Sequence, residues 1–122
     1  MMYIGLDLGT SGLKAVLIGE DQKVLAEATA PLEVSRPHDG WSEQAPAHWI
    51  AAAEAVLDAL APHGLAGVRG IGLSGQMHGA TLLDKADDVL RPCILWNDTR
   101  AHVEAAALDA DPRFRALSGN IV

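Results

Sequence analysis

The sequence predicts an α/β chain, a mixed sheet with flanking helices, and three observations carry that expectation. Three β-type runs follow one another at the start, Tyr3 to Leu6, Leu13 to Ile18 and Val24 to Ala30. A helical apolar face then repeats between positions 46 and 60. A further apolar run, Val68 to Leu73, ends in a polar, glycine-containing turn.

The first run leads into Asp7-Leu8-Gly9-Thr10-Ser11-Gly12-Leu13-Lys14, which sets a carboxylate, two hydroxyls and a lysine around a glycine turn. Glycine lets the backbone approach an anion closely and take dihedrals barred to other residues, leaving N–H groups to point at phosphate oxygens. Gly9, Thr10, Ser11, Gly12 and Lys14 are therefore candidates for binding a nucleotide triphosphate. Asp7, at a strand end, could hold Mg2+ through its water shell, since that ion keeps most of its waters and takes one or two carboxylates. The spacing fits neither a Walker loop, which needs Lys-Ser or Lys-Thr after the last glycine, nor a G-x-G-x-x-G turn opening a helix. Here the turn joins two strands. Gly19-Glu20-Asp21-Gln22 supplies the next turn, and in the third strand Val24, Ala26, Ala28 and Ala30 alternate with more polar residues. The plain alternative is a hairpin with convenient glycines.

Pro31 to Gly40 is expected to be a linker, and Trp41-Ser42-Glu43-Gln44 to lead into a helix with Pro46 in its first turn, running to about Leu60. Trp49, Ala53, Val56, Leu57 and Leu60 fall on one face of it. Ala45 offers no side-chain acceptor as its cap. Pro62-His63-Gly64 ends the helix, and Val68 to Leu73 reads as a buried strand. Ser74-Gly75-Gln76-Met77-His78-Gly79 then places a second polar turn at a strand end. If that strand pairs with the first in parallel, both turns lie together, because ligands in open α/β sheets collect beyond the carboxyl ends of the strands. Gln76 and His78 could bond to hydroxyls while Met77 packs on carbon; for His78 a purely structural turn role is the competing reading. Ala80 to Leu83 is another apolar run, Asp84 to Asp88 a charged turn, and Val89 to Trp96 an apolar run that Pro92 marks as an edge strand. In Trp96-Asn97-Asp98-Thr99-Arg100, Asp98 or Thr99 could cap a helix from Arg100 to Leu108, or Asn97, Asp98 and Arg100 could face the same cleft as His78. Asp111-Pro112 opens a last helical turn, and Ser118-Gly119-Asn120 is a turn.

Composition narrows the classes without choosing the chemistry. With 122 residues the chain holds at most one domain, and its alanine-rich apolar fraction makes a small core. A net charge of −7 without any basic run argues against nucleic acid or an acidic membrane as partner, so phosphate binding must be local. The single Cys93 excludes an internal disulfide and is expected to be a small core residue. There is no basic leader and no apolar run of membrane-spanning length, so a cytoplasmic chain is expected.

A strand, phosphate turn, strand, strand meander resembles the ribonuclease-H-like fold of actin, hexokinase and sugar kinases. The ordered motifs GLDLGTSGLK, GLSGQMHG and WNDTR are similar to those of the FGGY carbohydrate kinases. Within that family SRPHDGWSEQ, GQMHGATLL and ILWNDTR resemble the bacterial members that act on D-xylulose, whereas glycerol-directed members carry an Arg-Glu pair in place of Met77-His78. The resemblance implies transfer of the γ-phosphoryl group of MgATP to the terminal hydroxyl of D-xylulose. It implies that Met77 and His78 contact the sugar and that Asp7 matters for catalysis through Mg2+. It also implies that the chain is an N-terminal piece of a two-domain enzyme, inactive alone, with the catalytic base and the adenine pocket elsewhere. Apolar surface left by missing elements would favour self-association, for example as a homodimer. Two alternatives stay open: a different FGGY kinase acting on ribulose, fuculose, gluconate or glycerol, and a non-enzymatic actin-like nucleotide-binding module.

Overall fold

A computed structural model describes residues 1–121. Strands β1 (Met2–Leu8), β2 (Gly12–Gly19) and β3 (Val24–Pro31) form the expected antiparallel meander. A short strand β4 (Glu43–Gln44) precedes helix α1 (Pro46–Leu60), and β5 (Val68–Gly75) returns to lie parallel beside β1. The sheet order is therefore β3-β2-β1-β5, a mixed sheet as anticipated. A two-residue strand β6 (Cys93–Ile94) pairs with β4, and helices α2 (His102–Asp109) and α3 (Pro112–Ser118) complete the described chain.

One face of the sheet carries the core because apolar residues recur at every second position and stack across the ladders. Ile4 pairs with Leu17, Leu6 with Ala15, and Leu8 with Leu13. Against them α1 packs Ala52, Val56 and Leu60, all buried, with Ala53 and Leu57 at the margin. Burial of each large aliphatic side chain there contributes about 1.5–3 kcal/mol. Ala52 joins the face that the spacing predicts, and Trp49 turns partly aside to hydrogen-bond with Gln44. The α1 N-terminus follows the expectation: Pro46 occupies the first turn and Ala45 gives no side-chain cap. The helix tapers into short 3-10 turns on either side of Gly64, whose φ of +85° lies in the left-handed region that favours glycine.

Four expectations are corrected. Strand β5 is not buried: it is a sheet edge, and Ile71 and Leu73, which continue the α1-facing rows of Ile4 and Leu6, are 53% and 80% exposed because α1 covers β2 and β3 instead. The stretch before α1 is not simply a linker, since Ser35 bridges to Glu43 and β4 pairs with β6. The apolar run at 89–96 is a strand only at Cys93–Ile94, where Ile94 is flanked by Glu43 and Ala80, an interior place that is open because Pro92 precedes the paired residues. Neither Asp98 nor Thr99 caps α2 with its side chain; the helix starts after Ala101, and Asp98 bonds instead to the amides of Ser42 and Arg100. Cys93 is buried, as its small size suggests.

Candidate active site

The parallel β1–β5 pair brings the two glycine turns to the same end of the sheet. On the face opposite α1, Asp7 of β1 pairs in register with Lys14 of β2 on one side and Ser74 of β5 on the other. Gly5 and Gly72 continue this face, so the three polar side chains border a shallow groove of about 440 Å³ with little side-chain bulk in its floor. A cation, a carboxylate and a hydroxyl on one rung can meet phosphate oxygens and a hydrated cation together. Among the described residues no three His, Cys, Asp or Glu side chains converge, so a metal wrapped in protein ligands is not provided for. Magnesium fits Asp7 better, since it retains waters and needs only one or two carboxylates besides phosphate oxygens.

The Gly9 to Gly12 turn itself is tight. The amide of Gly9 donates to the Gly12 carbonyl at 3.0 Å, and the Leu32 amide donates to Ser11 O at 3.0 Å. The amides of Thr10 and Ser11 have no acceptor among the described residues, leaving two adjacent donors for an anion. The reason for glycine differs from the sequence expectation: neither Gly9 nor Gly12 takes a positive φ. Close packing selects Gly12, where a Cβ would lie 2.9 Å from the Ala30 carbonyl oxygen.

Behind the turn lies a connected set of polar side chains that the sequence reading did not find. Thr10 Oγ1 donates to Gln76 Oε1 at 2.9 Å and accepts from Trp96 Nε1 at 3.1 Å. Gln76 Nε2 donates to Gln44 Oε1 at 3.1 Å, and its backbone amide to Leu8 O at 2.8 Å. Gln44, 2% exposed, accepts also from Trp49 Nε1 at 3.0 Å and donates to Thr10 O at 2.7 Å and Glu33 O at 3.2 Å. Three segments far apart in sequence thus meet at Thr10. The only sequence signal for Gln44 was its place in WSEQ, which served as a mark of family and not as a site.

Next to Gln76 the chain exposes Met77 and His78. Met77 is 64% exposed, and His78 holds φ at +63° in the left-handed region with no hydrogen-bond partner for its ring among the described residues. Such a backbone costs roughly 1–2 kcal/mol for a non-glycine residue and is concentrated at functional turns.

Asn97, Asp98 and Arg100 sit on the neighbouring 96–100 turn. Asn97 Oδ1 is buried without a partner. Asp98 and Arg100 are engaged by the protein: Asp98 Oδ2 accepts from the Ser42 amide at 2.6 Å, and Oδ1 from Arg100 N at 2.9 Å and Nε at 2.8 Å. Arg100 stacks on Trp41, with its guanidinium carbon 3.6 Å from the ring centroid. Donation from the Arg100 side chain, then from the Ser42 and Arg100 amides, holds the Asp98 carboxyl well below the usual carboxylate range against the opposing effect of burial. The same pairing with Asp98, and then with Glu43, raises the Arg100 guanidinium further above its already high value. The structure therefore brings Gly9, Thr10, Ser11, Gly12, Asp7, Lys14 and Gln76 into one region. Asp98 and Arg100 meet beside it in an ion-paired brace.

Comparison with known proteins agrees with this architecture. Residues 2–121 match the N-terminal domain of the FGGY family of carbohydrate kinases. The chain is 52% identical to a xylulose kinase of Klebsiella pneumoniae and 50% identical to that of Escherichia coli (strain K12), covering 99% of this chain but 26% and 25% of those proteins. A crystal structure of a xylulose kinase from Brucella ovis superimposes with a TM-score of 0.97 at 63% identity, over all of this chain and 26% of the other. The chain thus spans about a quarter of the length of the curated relatives it matches. With its mixed sheet, paired glycine turns and a match over residues 2–121 to the family's N-terminal domain, this chain belongs to the FGGY family of carbohydrate kinases.

Proposed function

We propose that this chain supplies the sugar-facing and phosphate-facing part of an ATP-dependent kinase that phosphorylates the terminal hydroxyl of D-xylulose to D-xylulose 5-phosphate. The observation that carries the reading is the contact between its two turns. The Thr10 hydroxyl touches the Gln76 amide, so a sugar against Met77 and His78 lies next to an anion held by the Thr10 and Ser11 amides and Lys14. The names of its half-identical relatives supply the sugar.

Each residue has a physical role in this reading. Asp7 holds a hydrated Mg2+, which neutralises phosphate charge when bound. Lys14 and the free amides of the turn add fixed positive potential where charge develops, and phosphoryl transfer depends mainly on such positioning and electrostatics. Met77 packs on the carbon chain of the sugar, and His78, Asn97 and the outer surface of the 96–100 turn meet its hydroxyls. Asp98 and Arg100 contribute by fixing that turn. No aspartate of this chain is assigned as the general base; that group and the adenine pocket belong to the further length seen in the relatives. The same reading puts the protein in the cytoplasm and in xylose metabolism. Pairing as a homodimer is supported by exposed apolar side chains such as Leu90 and Leu117.

The test is ADP release by the full-length reading frame with MgATP and D-xylulose, D-ribulose, L-fuculose, gluconate or glycerol. Strong stimulation by D-xylulose is expected. Stimulation by another compound instead would keep the family and overturn the sugar. A folded, ATP-binding protein stimulated by none would indicate an actin-like nucleotide-binding module.

A further inference from the structure

We infer that Gln44 is a positioning residue that couples the sugar turn to the phosphate turn, an inference that rests on the kinase reading above. Gln44 does not line the groove at Asp7, Lys14 and Ser74 and touches no proposed substrate atom. Its importance is geometric, because its carboxamide has two donors and two acceptor positions and the structure engages all four.

The consequence propagates in one direction at a time. Trp49 Nε1 can only donate, so the Gln44 atom facing it must be the oxygen, and the Gln44 nitrogen must face Thr10 O and Glu33 O. With the Gln44 oxygen fixed, the Gln76 group that approaches it at 3.1 Å must be its NH2, which turns Gln76 Oε1 toward Thr10. Gln76 Oε1 can only accept, so the Thr10 hydroxyl donates to it at 2.9 Å and accepts from Trp96 Nε1 at 3.1 Å. The Thr10 proton is thereby directed away from the phosphate region. Anion binding by the turn falls to the Thr10 and Ser11 amides, whose own position is set by the Gln44 bond to Thr10 O at 2.7 Å.

One buried amide therefore holds both turns. Its nitrogen anchors the peptide of the phosphate turn, and its oxygen anchors the side chain that precedes Met77 and His78. A displacement of the sugar turn reaches the phosphate turn through Gln76 and Gln44 without passing through the ligands. A polar network of this kind, fully satisfied, is stiff, and loss of one member leaves several buried groups unpaired.

The experiment is performed on the full-length protein with Gln44→Met, which keeps the volume and removes every polar atom, and Trp49→Phe as a control for loss of stability. Trp49→Phe deletes one bond to the same Gln44 oxygen but leaves the links to Gln76 and Thr10. The readout is the factor by which D-xylulose stimulates ADP release, with kcat and KM for both substrates and the thermal midpoint. The expected result is a fall of about tenfold or more in the stimulation factor and in kcat for Gln44→Met, as misplacement of reacting groups by less than 1 Å produces. Trp49→Phe, with a comparable change in thermal midpoint, keeps the wild-type stimulation. Gln44→Glu adds a second readout: its ionised form cannot donate to Thr10 O, whereas its protonated form can, so stimulation recovers as the pH is lowered. Stimulation in Gln44→Met equal to wild type, or an equal loss in both variants, would overturn the coupling while leaving the kinase reading intact. Absence of stimulation in the wild-type protein by any of the five compounds would overturn the kinase reading and the coupling with it.

Discussion

Glu43 and Arg100 face each other across 2.8 Å, joining a strand that precedes α1 to a turn that precedes α2. The same Glu43 oxygen accepts from Arg91 at 2.8 Å, while Arg100 turns its other edge to Asp98, whose side chain is 1% exposed. Removing one partner of such a buried set costs more than the set contributes over an apolar one, because the remaining charge stays desolvated. Asp98→Ala is expected to destabilise the protein by about 3 kcal/mol, with Arg100 still partly compensated by Glu43. Thermal or urea unfolding checks it, and a change near zero would show that the brace carries no stability.

The pH dependence follows from the same carboxylate. Its value in the folded protein is depressed, so its contribution is complete above the unfolded value of about 3.9 and is lost as pH falls through the lower folded value. The stability gap between wild type and Asp98→Asn should be constant near neutrality and should narrow below about pH 4. Unfolding midpoints measured from pH 7 to pH 2 test the sign; a gap that widens in acid would contradict it.

At the Gly9 to Gly12 turn, Gly12→Ala puts a methyl group against the Ala30 carbonyl, which cannot move without disturbing the β2–β3 ladder. The expected cost is about 1–3 kcal/mol in stability. Displacement of the turn should also lower kcat/KM for ATP by up to about 100-fold. Nucleotide kinetics that match wild type would remove this turn from the site.

Lys14→Met retains the length of the side chain and deletes its charge. Since Lys14 is exposed and makes no ion pair in the described structure, its loss should leave the unfolding midpoint nearly unchanged while lowering kcat by about 100- to 1,000-fold. Steady-state kinetics with saturating sugar read this out. A change in KM for the sugar alone would place the lysine elsewhere in the cycle.

His78→Gly separates structure from recognition at a single position. Glycine accepts the φ of +63° without strain, so stability should hold or rise slightly, while the KM for D-xylulose should increase. Loss of stability with unchanged KM would make the imidazole a structural turn residue.

These residues also show what could be read before the fold was known. The meander and α1 were legible because their apolar positions repeat with period 2 or 3.6 over seven or more residues, long enough to stand out. Strands β4 and β6 have two residues each, and their partners are far apart in sequence, so no periodicity announces them. The candidate site was legible where a glycine turn follows a strand, as at Asp7 to Lys14. It was hidden where the arrangement rests on buried polar groups: Ser42, Glu43 and Gln44 look like a solvated approach to a helix, yet all three are buried. The exposure of Leu73 was equally hidden, since a continuous apolar run does not say whether anything covers it.

The parallel pairing of β1 with β5 has a consequence for how this chain tolerates change in length. The Gly9 to Gly12 and Gln76 to Gly79 turns leave the same end of adjacent strands, so their distance is set by the spacing between neighbours, about 4.8 Å, and not by the 60-odd residues that separate them in the chain. The Gly19 to Lys23 hairpin and the Gly64 turn lie at the other end of the sheet. A few residues inserted at either place would lengthen the path between the motifs while leaving both turns where they are, and such loops are natural sites for splitting, tagging or grafting this domain.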